Sequence, residues 1–300
     1  MNAPVAAQRT KGPIVWLDMD QRELDDAYDQ TKYAANMQQV GRRRALLSEW
    51  ARTRLGEPQR FAYGSKPIEG LDVYKTDKPN APIMVFIHGG AWRNGNAHDN
   101  AYAAEMYVKA GAHYVVLDFD SVVDVGGDLM VMADQVRRGV AWVYNNADKF
   151  GGDRNRLYVS GHSSGGHLCG VVVTTDWRKY GLPADCLKGG VLCSGMYDLA
   201  PVRLSARSNY VKFTDEIVEE LSSQRHLDRL QCPIIVAHGT LETPEFQRQA
   251  RDFYAAVKAA GKPVTFLVGE AYNHFEMSET TASPYGLVGY EVLRMMRLAG

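Results

Sequence analysis

The chain has 300 residues, 45% of them hydrophobic, which is enough to bury a large core and an ordinary size for a single α/β domain spanning 1–300. Lys and Arg (34) nearly balance Asp and Glu (35), leaving a formal net charge of −1 and no basic excess to hold nucleic acid or an anionic membrane. No stretch approaches the roughly 18 apolar residues of a membrane span, and 1–12 lacks the apolar core of a signal peptide, so the sequence predicts a cytoplasmic protein with no membrane partner.

In chain order, 1–12 reads as a flexible tail and 13–57 as an N-terminal helical section whose clearest segment is 37–55, expected to pack over the site or the sheet. Strand-like stretches at 60–63 and 71–75 introduce a sheet, and 81–87 (APIMVFI) is a continuous apolar run of the kind buried on both faces of a parallel sheet. From there helix-like spans at 98–111, 127–150, 164–175, 244–260 and 285–298 alternate with strand-like ones at 113–118, 156–160, 231–237 and 263–268. This alternation predicts an α/β fold with a mostly parallel, doubly wound sheet flanked by helices. The less regular 177–185 and 203–224 read as insertions above the C-terminal edge of the sheet, where such folds bind ligands. There is no internal repeat or low-complexity tract.

Gly161-His162-Ser163-Ser164-Gly165-Gly166 closes one strand-like run and opens a helix-like one. A serine in that setting forms a nucleophile elbow, where strained dihedrals bring neighbouring backbone so close that side chains two positions either side would collide. Gly161 and Gly165 remove those side chains. A Gly-x-Ser-x-Gly string also arises in ordinary Gly-rich turns, so its weight depends on what accompanies it.

Its companion is His88-Gly89-Gly90-Ala91-Trp92, directly after the apolar strand. Glycines there let the backbone approach a substrate and aim N–H groups at an oxygen that becomes negative in a tetrahedral intermediate. Gly90 and Ala91 are the expected oxyanion donors, joined by the amide of Ser164; Gly89 and Trp92 are expected to line the pocket, and His88 to brace the loop.

In a site of this type the acid follows the serine and the base follows the acid, each on a loop leaving a late strand. The loop after 231–237 offers Glu242 and the loop after 263–268 offers His274, which makes His274 the base and Glu242 the preferred acid. Glu245 competes, although Thr243-Pro244-Glu245 looks like a helix start with Glu245 in its first turn. His162 is a candidate for the pocket floor, His167 for helix packing and His238 for structural support, while His98, His113 and His226 read as surface or capping residues. No pair of histidines has metal-ligand spacing, so neither metal nor other cofactor is expected. Cys169, Cys186, Cys193 and Cys232 show no Cys-x-x-Cys pairing and read as reduced core residues.

Together with these motifs, 71–74 (LDVY), 195–201 (GMYDLAP), 242–249 (ETPEFQRQ) and 22–28 (RELDDAY) make the chain resemble an α/β-hydrolase of the hormone-sensitive-lipase-like group, in its kynurenine formamidase-like branch. The resemblance spans most of the chain and implies that Ser163 is the nucleophile, Glu242 the acid and His274 the base. Two departures stand out. The acid position more often carries aspartate in that branch, and after the strand at 113–118 the usual Tyr, Leu and Pro are replaced by Phe119-Asp120-Ser121-Val122-Val123-Asp124, a segment expected near the pocket.

The resemblance implies a serine-dependent hydrolase of a small amide or ester, with an N-formyl or aryl substrate favoured. Trp92, Tyr197, Tyr272 and Phe275 are candidate walls for a planar leaving group, although for each of the last three ordinary packing is the favoured reading. A carboxylesterase would use the same residues. A non-catalytic binding module on the same fold is the reading of another class, disfavoured because nucleophile, acid and base are all present in the sequence. Expected partners are a small-molecule substrate and, for assembly, a second copy of the chain in a homodimer.

Overall fold

The structure, a computed structural model, describes residues 10–298. Most of the expected tail at 1–12 therefore lies outside the described residues. A short hairpin of β1 (Ile14–Trp16) and β2 (Met19–Asp20) leads into α1 (Gln21–Ala27) and the long α2 (Met37–Leu55). Asp20 caps α1 with a capping box closed by Glu23, which satisfies two otherwise orphaned backbone donors.

The strands that follow are β3 (Gln59–Ala62), β4 (Gly70–Tyr74), β5 (Ala81–Ile87), β6 (His113–Leu117), β7 (Gly152–His162), β8 (Leu187–Cys193), β9 (Ile234–Gly239) and β10 (Val264–Gly269). They form one eight-stranded sheet in the order β10-β9-β8-β7-β5-β6-β4-β3. The strands from β5 onward pair in parallel, and β4 runs antiparallel to both β6 and β3. Between and beyond them lie α3 (Ala104–Ala110), α4 (Leu129–Asn145), α5 (Ser164–Val173), α6 (Leu199–Val202), α7 (Asp215–Leu221), α8 (Pro244–Ala259), α9 (His274–Thr280) and α10 (Leu287–Met295).

Strand periodicity divides β5 between two apolar layers. Ile83, Val85 and Ile87 join the core built with α4, α5 and α8, whereas Met84 and Phe86 join the one built with α3 and α10. Burial on both faces explains why the strand reads as unbroken hydrophobic residues, and it bears out the doubly wound expectation. β8 escaped the sequence reading, because Lys188-Gly189-Gly190 interrupts its apolar run. Those glycines are packing devices: a Cβ on Gly189 would come within 2.4 Å of Met295 Sδ, and one on Gly190 within 2.6 Å of Val173 Cγ1.

The strand order reverses at β5. The chain leaves β5 for β6 on one side and returns with β7 on the other, which opens a crevice at the C-terminal ends of β5 and β7. These two strand ends carry the His88 loop and the Ser163 turn. No helix among the described residues is long and apolar enough to cross a membrane.

Candidate active site

Ser163 sits between β7 and α5 at φ 61° and ψ −127°, a left-handed conformation that is costly for a non-glycine residue and exposes its hydroxyl at the top of the sheet. The surrounding glycines make the turn sterically feasible. A Cβ on Gly161 would lie 2.1 Å from the Gly165 carbonyl oxygen, and one on Gly165 2.1 Å from that of Ile87. The Ser163 N–H donates to the Cys193 carbonyl at 3.0 Å, tying the turn to the end of β8.

His274 opens α9 behind an Asn273 cap, and its Nε2 lies 2.8 Å from Ser163 Oγ. Its Nδ1 lies 2.8 Å from Glu242 Oε2, on the loop between β9 and α8. Because the carboxylate can only accept, the proton of a neutral His274 belongs on Nδ1, leaving Nε2 free to accept from the serine hydroxyl. Glu242 and His274 are 1% and 3% exposed, so this chain of hydrogen bonds is shielded from water almost to the serine. The other carboxylate oxygen, Oε1, accepts from Ser194 Oγ at 2.6 Å and from the Gly239 N–H at 2.7 Å. Sequence reading missed Ser194 because the strand it follows, β8, was itself not legible.

Glu245 is elsewhere. It accepts from Tyr28 Oη at 2.8 Å and pairs with Arg248 at 2.7 Å, buried at the start of α8.

The loop after β5 turns through three left-handed residues, Gly90 (φ 118°), Ala91 (φ 55°) and Trp92 (φ 61°). The Trp92 N–H donates to Ser164 Oγ at 3.1 Å, while the Gly90 and Ala91 amides have no acceptor among the described residues. The Ser164 amide, in the first turn of α5, likewise has no intrahelical acceptor. Gly89 must stay small, since a Cβ there would meet the His162 carbonyl oxygen at 2.6 Å. His88 stacks on Phe119 at 4.1 Å and its Nδ1 lies 3.0 Å from the Gly89 carbonyl oxygen, bracing the turn from behind. Burial lowers its pKa, which keeps the ring neutral.

A cavity of about 780 Å³ opens over Ser163, lined by Gly89, Gly90, Ala91, His162, His274 and Phe275 from the sheet side. Its other walls come from the N-terminal section, with Tyr28, Gln30 and Arg44, and from the insertion at 205–210. His162 Nε2–H donates to the His274 backbone carbonyl at 2.8 Å, and burial holds its pKa well below the usual histidine range. His167 accepts from Trp92 Nε1 at 3.2 Å and donates to Leu221, with its pKa lowered to about 4 by burial.

Several expected contacts fall outside this cavity. Trp92, read as a pocket wall, is 2% exposed and packs edge-on against His167. The indole lies in the apolar core, its Nε1–H donating to His167. Tyr197 is fully buried, stacked on Phe253 at 4.3 Å, and Tyr272 stands 40% exposed outside the lining. The segment at 119–124 packs behind the His88 turn, with Val122 N–H donating to the Trp92 carbonyl, instead of facing the main cavity. His113 and His226, read as surface or capping residues, are buried, at the start of β6 and against the Glu219 carbonyl respectively. Groups of acidic, histidine and cysteine side chains able to hold a metal are absent among the described residues.

A mostly parallel sheet with a strained serine turn after β7, facing a histidine and a carboxylate on later strand loops, defines an α/β-hydrolase. Family models agree: the BD-FAE model matches residues 71–186 and that of the prolyl oligopeptidase family residues 132–286. Kynurenine formamidase of Danio rerio is 30% identical over 294 residues, covering 94% of this chain and 98% of that protein. The chain belongs to the kynurenine formamidase family of α/β-hydrolases. It is also 30% identical over 225 residues to Esterase LipC of Mycobacterium tuberculosis, covering 68% of this chain and 56% of that protein. Among solved structures, a putative thioesterase from a Silicibacter species superposes with a TM-score of 0.78 at 20% identity, over 92% of this chain and 99% of that one, a likeness of fold.

Proposed function

We propose that this protein is a serine hydrolase that cleaves a small amide or ester through an acyl-enzyme, with an N-formyl amide carrying an aryl leaving group as the favoured substrate. The observation that carries the reading is the unbroken relay from Ser163 Oγ through His274 to Glu242, each link 2.8 Å. Ser163 attacks the carbonyl carbon while His274 Nε2 takes the hydroxyl proton, and Glu242 stabilises the resulting imidazolium. The amides of Gly90, Ala91 and Ser164 receive the oxyanion. His274 then gives its proton to the departing nitrogen or oxygen, the carbon–nitrogen or carbon–oxygen bond breaks, and water repeats the sequence on the acyl-serine. The reading needs no cofactor.

Full-length similarity to proteins named kynurenine formamidase supports the formamide, and the cavity has room for an aromatic leaving group beside Phe275. Similarity to an esterase supports the second reading, a carboxylesterase acting on small esters with the same residues. The two differ only in leaving group. Matched aryl formamides, anilides and aryl esters scored by kcat/KM separate them: the first reading expects the formamide to lead, and an ester preference of tenfold or more at equal leaving-group size would replace it with the second. Absence of turnover across the whole panel would leave the binding module.

A further inference from the structure

The N-terminal section does more than roof the cavity. Gln30, 6% exposed, lies 212 positions from Glu242 in sequence and beside it in space. Its side-chain orientation is fixed by elementary hydrogen-bond chemistry. The Thr243 backbone N–H donates to Gln30 Oε1 at 3.1 Å, and since an amide N–H cannot accept, the oxygen must occupy that side. The amide nitrogen is thereby turned to the other side, where Nε2 lies 3.3 Å from Thr243 Oγ1 and 3.4 Å from Glu242 Oε2. Oε2 is the oxygen bound to His274.

A neighbouring contact serves the base. Asn36 donates to Glu276 and accepts from Asn273 Nδ2 at 2.7 Å, and these two residues form the capping box from which His274 projects. Tyr28 meanwhile anchors the same stretch of chain on Glu245 and Gln249. Residues of 28–36 thus reach both late loops of the site.

We infer that Gln30 is a positioning residue for Glu242, its buried amide clamping the acid-bearing loop and facing the carboxylate oxygen that holds His274. The longer arm of a glutamate has one more rotatable bond than that of an aspartate, so the loop and the carboxylate need this additional restraint to keep Oε2 aimed at the imidazole. The assignment rests on the serine hydrolase reading.

A double-mutant cycle tests it. Gln30→Met keeps length and removes both polar atoms; it is expected to lower kcat by about tenfold to 10²-fold with KM nearly unchanged, the range that a misplaced catalytic group produces. In a Glu242→Gln background the same change should alter kcat by less than about twofold, because Gln30 has no carboxylate left to aim. A merely structural residue would instead multiply its loss onto that of Glu242→Gln, and that result overturns the assignment. Gln30→Glu is the second variant. It retains an acceptor for Thr243 and places an oxygen against Glu242 Oε2, so kcat at pH 8 should fall even where thermal stability equals that of the wild type; unchanged kcat overturns the assignment as well. Wild-type protein with neither turnover nor labelling at Ser163 would overturn the hydrolase reading itself, an outcome distinct from turnover with multiplicative losses.

Discussion

His162 donates its Nε2–H to the backbone carbonyl of His274 at 2.8 Å, with the two rings 4.7 Å apart. One histidine supports the main chain of another, so it must stay neutral to avoid placing a second positive charge beside the proposed base. His162→Ala should therefore keep measurable turnover, with kcat reduced by no more than about 10²-fold as His274 loses its brace. Steady-state kinetics beside His274→Ala checks the difference. Equal losses in the two variants would give His162 a direct part in the chemistry.

The buried neutral histidines also set an acid limit on stability. Burial lowers the pKa of His162, of His88 and of His167, the last to about 4 from 6.5. On acidification the unfolded chain takes up these protons first, so it binds more protons than the native state and stability falls. Their contribution is intact above about pH 6.5 and is progressively lost below it; for His167 the loss runs down to about pH 4, a shift that corresponds to something on the order of 3 kcal/mol. Urea midpoints at pH 8, 6 and 5 should decline in that order. A midpoint unchanged down to pH 5 would contradict the neutral assignments.

The elbow tolerates no side chain at its flanks. With a Cβ 2.1 Å from the Gly165 carbonyl, Gly161→Ala must displace backbone next to Ser163. Overpacking of this kind costs about 1–3 kcal/mol, and the movement should lower kcat far more than a stability change alone would. Thermal denaturation and kcat measured together test it, and wild-type values in both would show that the turn has slack.

Glu242 and Glu245 separate cleanly by effect. Glu242→Gln should lower kcat by several orders of magnitude, because a neutral amide cannot stabilise the imidazolium and offers the wrong tautomeric partner. Glu242→Asp keeps the charge on a shorter arm and should fall between. Glu245→Gln should leave kcat near wild type and cost about 1–3 kcal/mol of stability, since its buried carboxylate accepts from Tyr28 and Arg248. That cost exceeds the ~0.3–1 kcal/mol of an exposed carboxylate at a helix N-terminus. A larger kcat loss at Glu245 than at Glu242 would contradict the observed geometry.

What could be read in advance followed from local physics. The apolar runs of β5, β6, β9 and β10 and the glycine-flanked serine are features a few residues long, and the order serine, acid, base points to Glu242 and His274, which the fold brings within hydrogen-bond distance of each other and, through His274, of Ser163. The misses have non-local causes. β8 owes its place to glycines that fit against Met295 and Val173, which carry no strand signature. Trp92, expected as a pocket wall, is buried in the core, and Tyr197 takes the packing role its sequence context favours, stacked on Phe253. Gln30 was invisible because its contact with Glu242 exists only after the N-terminal section folds back across the loop that follows β9.

The most direct test is covalent labelling with a serine-directed aryl phosphonate, followed by intact-mass measurement and peptide mapping. The account predicts one adduct on the 164-flanking peptide at Ser163, blocked by a small formamide or ester substrate, and absent together with about 10⁶-fold of kcat in Ser163→Ala. An adduct on another serine, or undiminished labelling and turnover in Ser163→Ala, would contradict it.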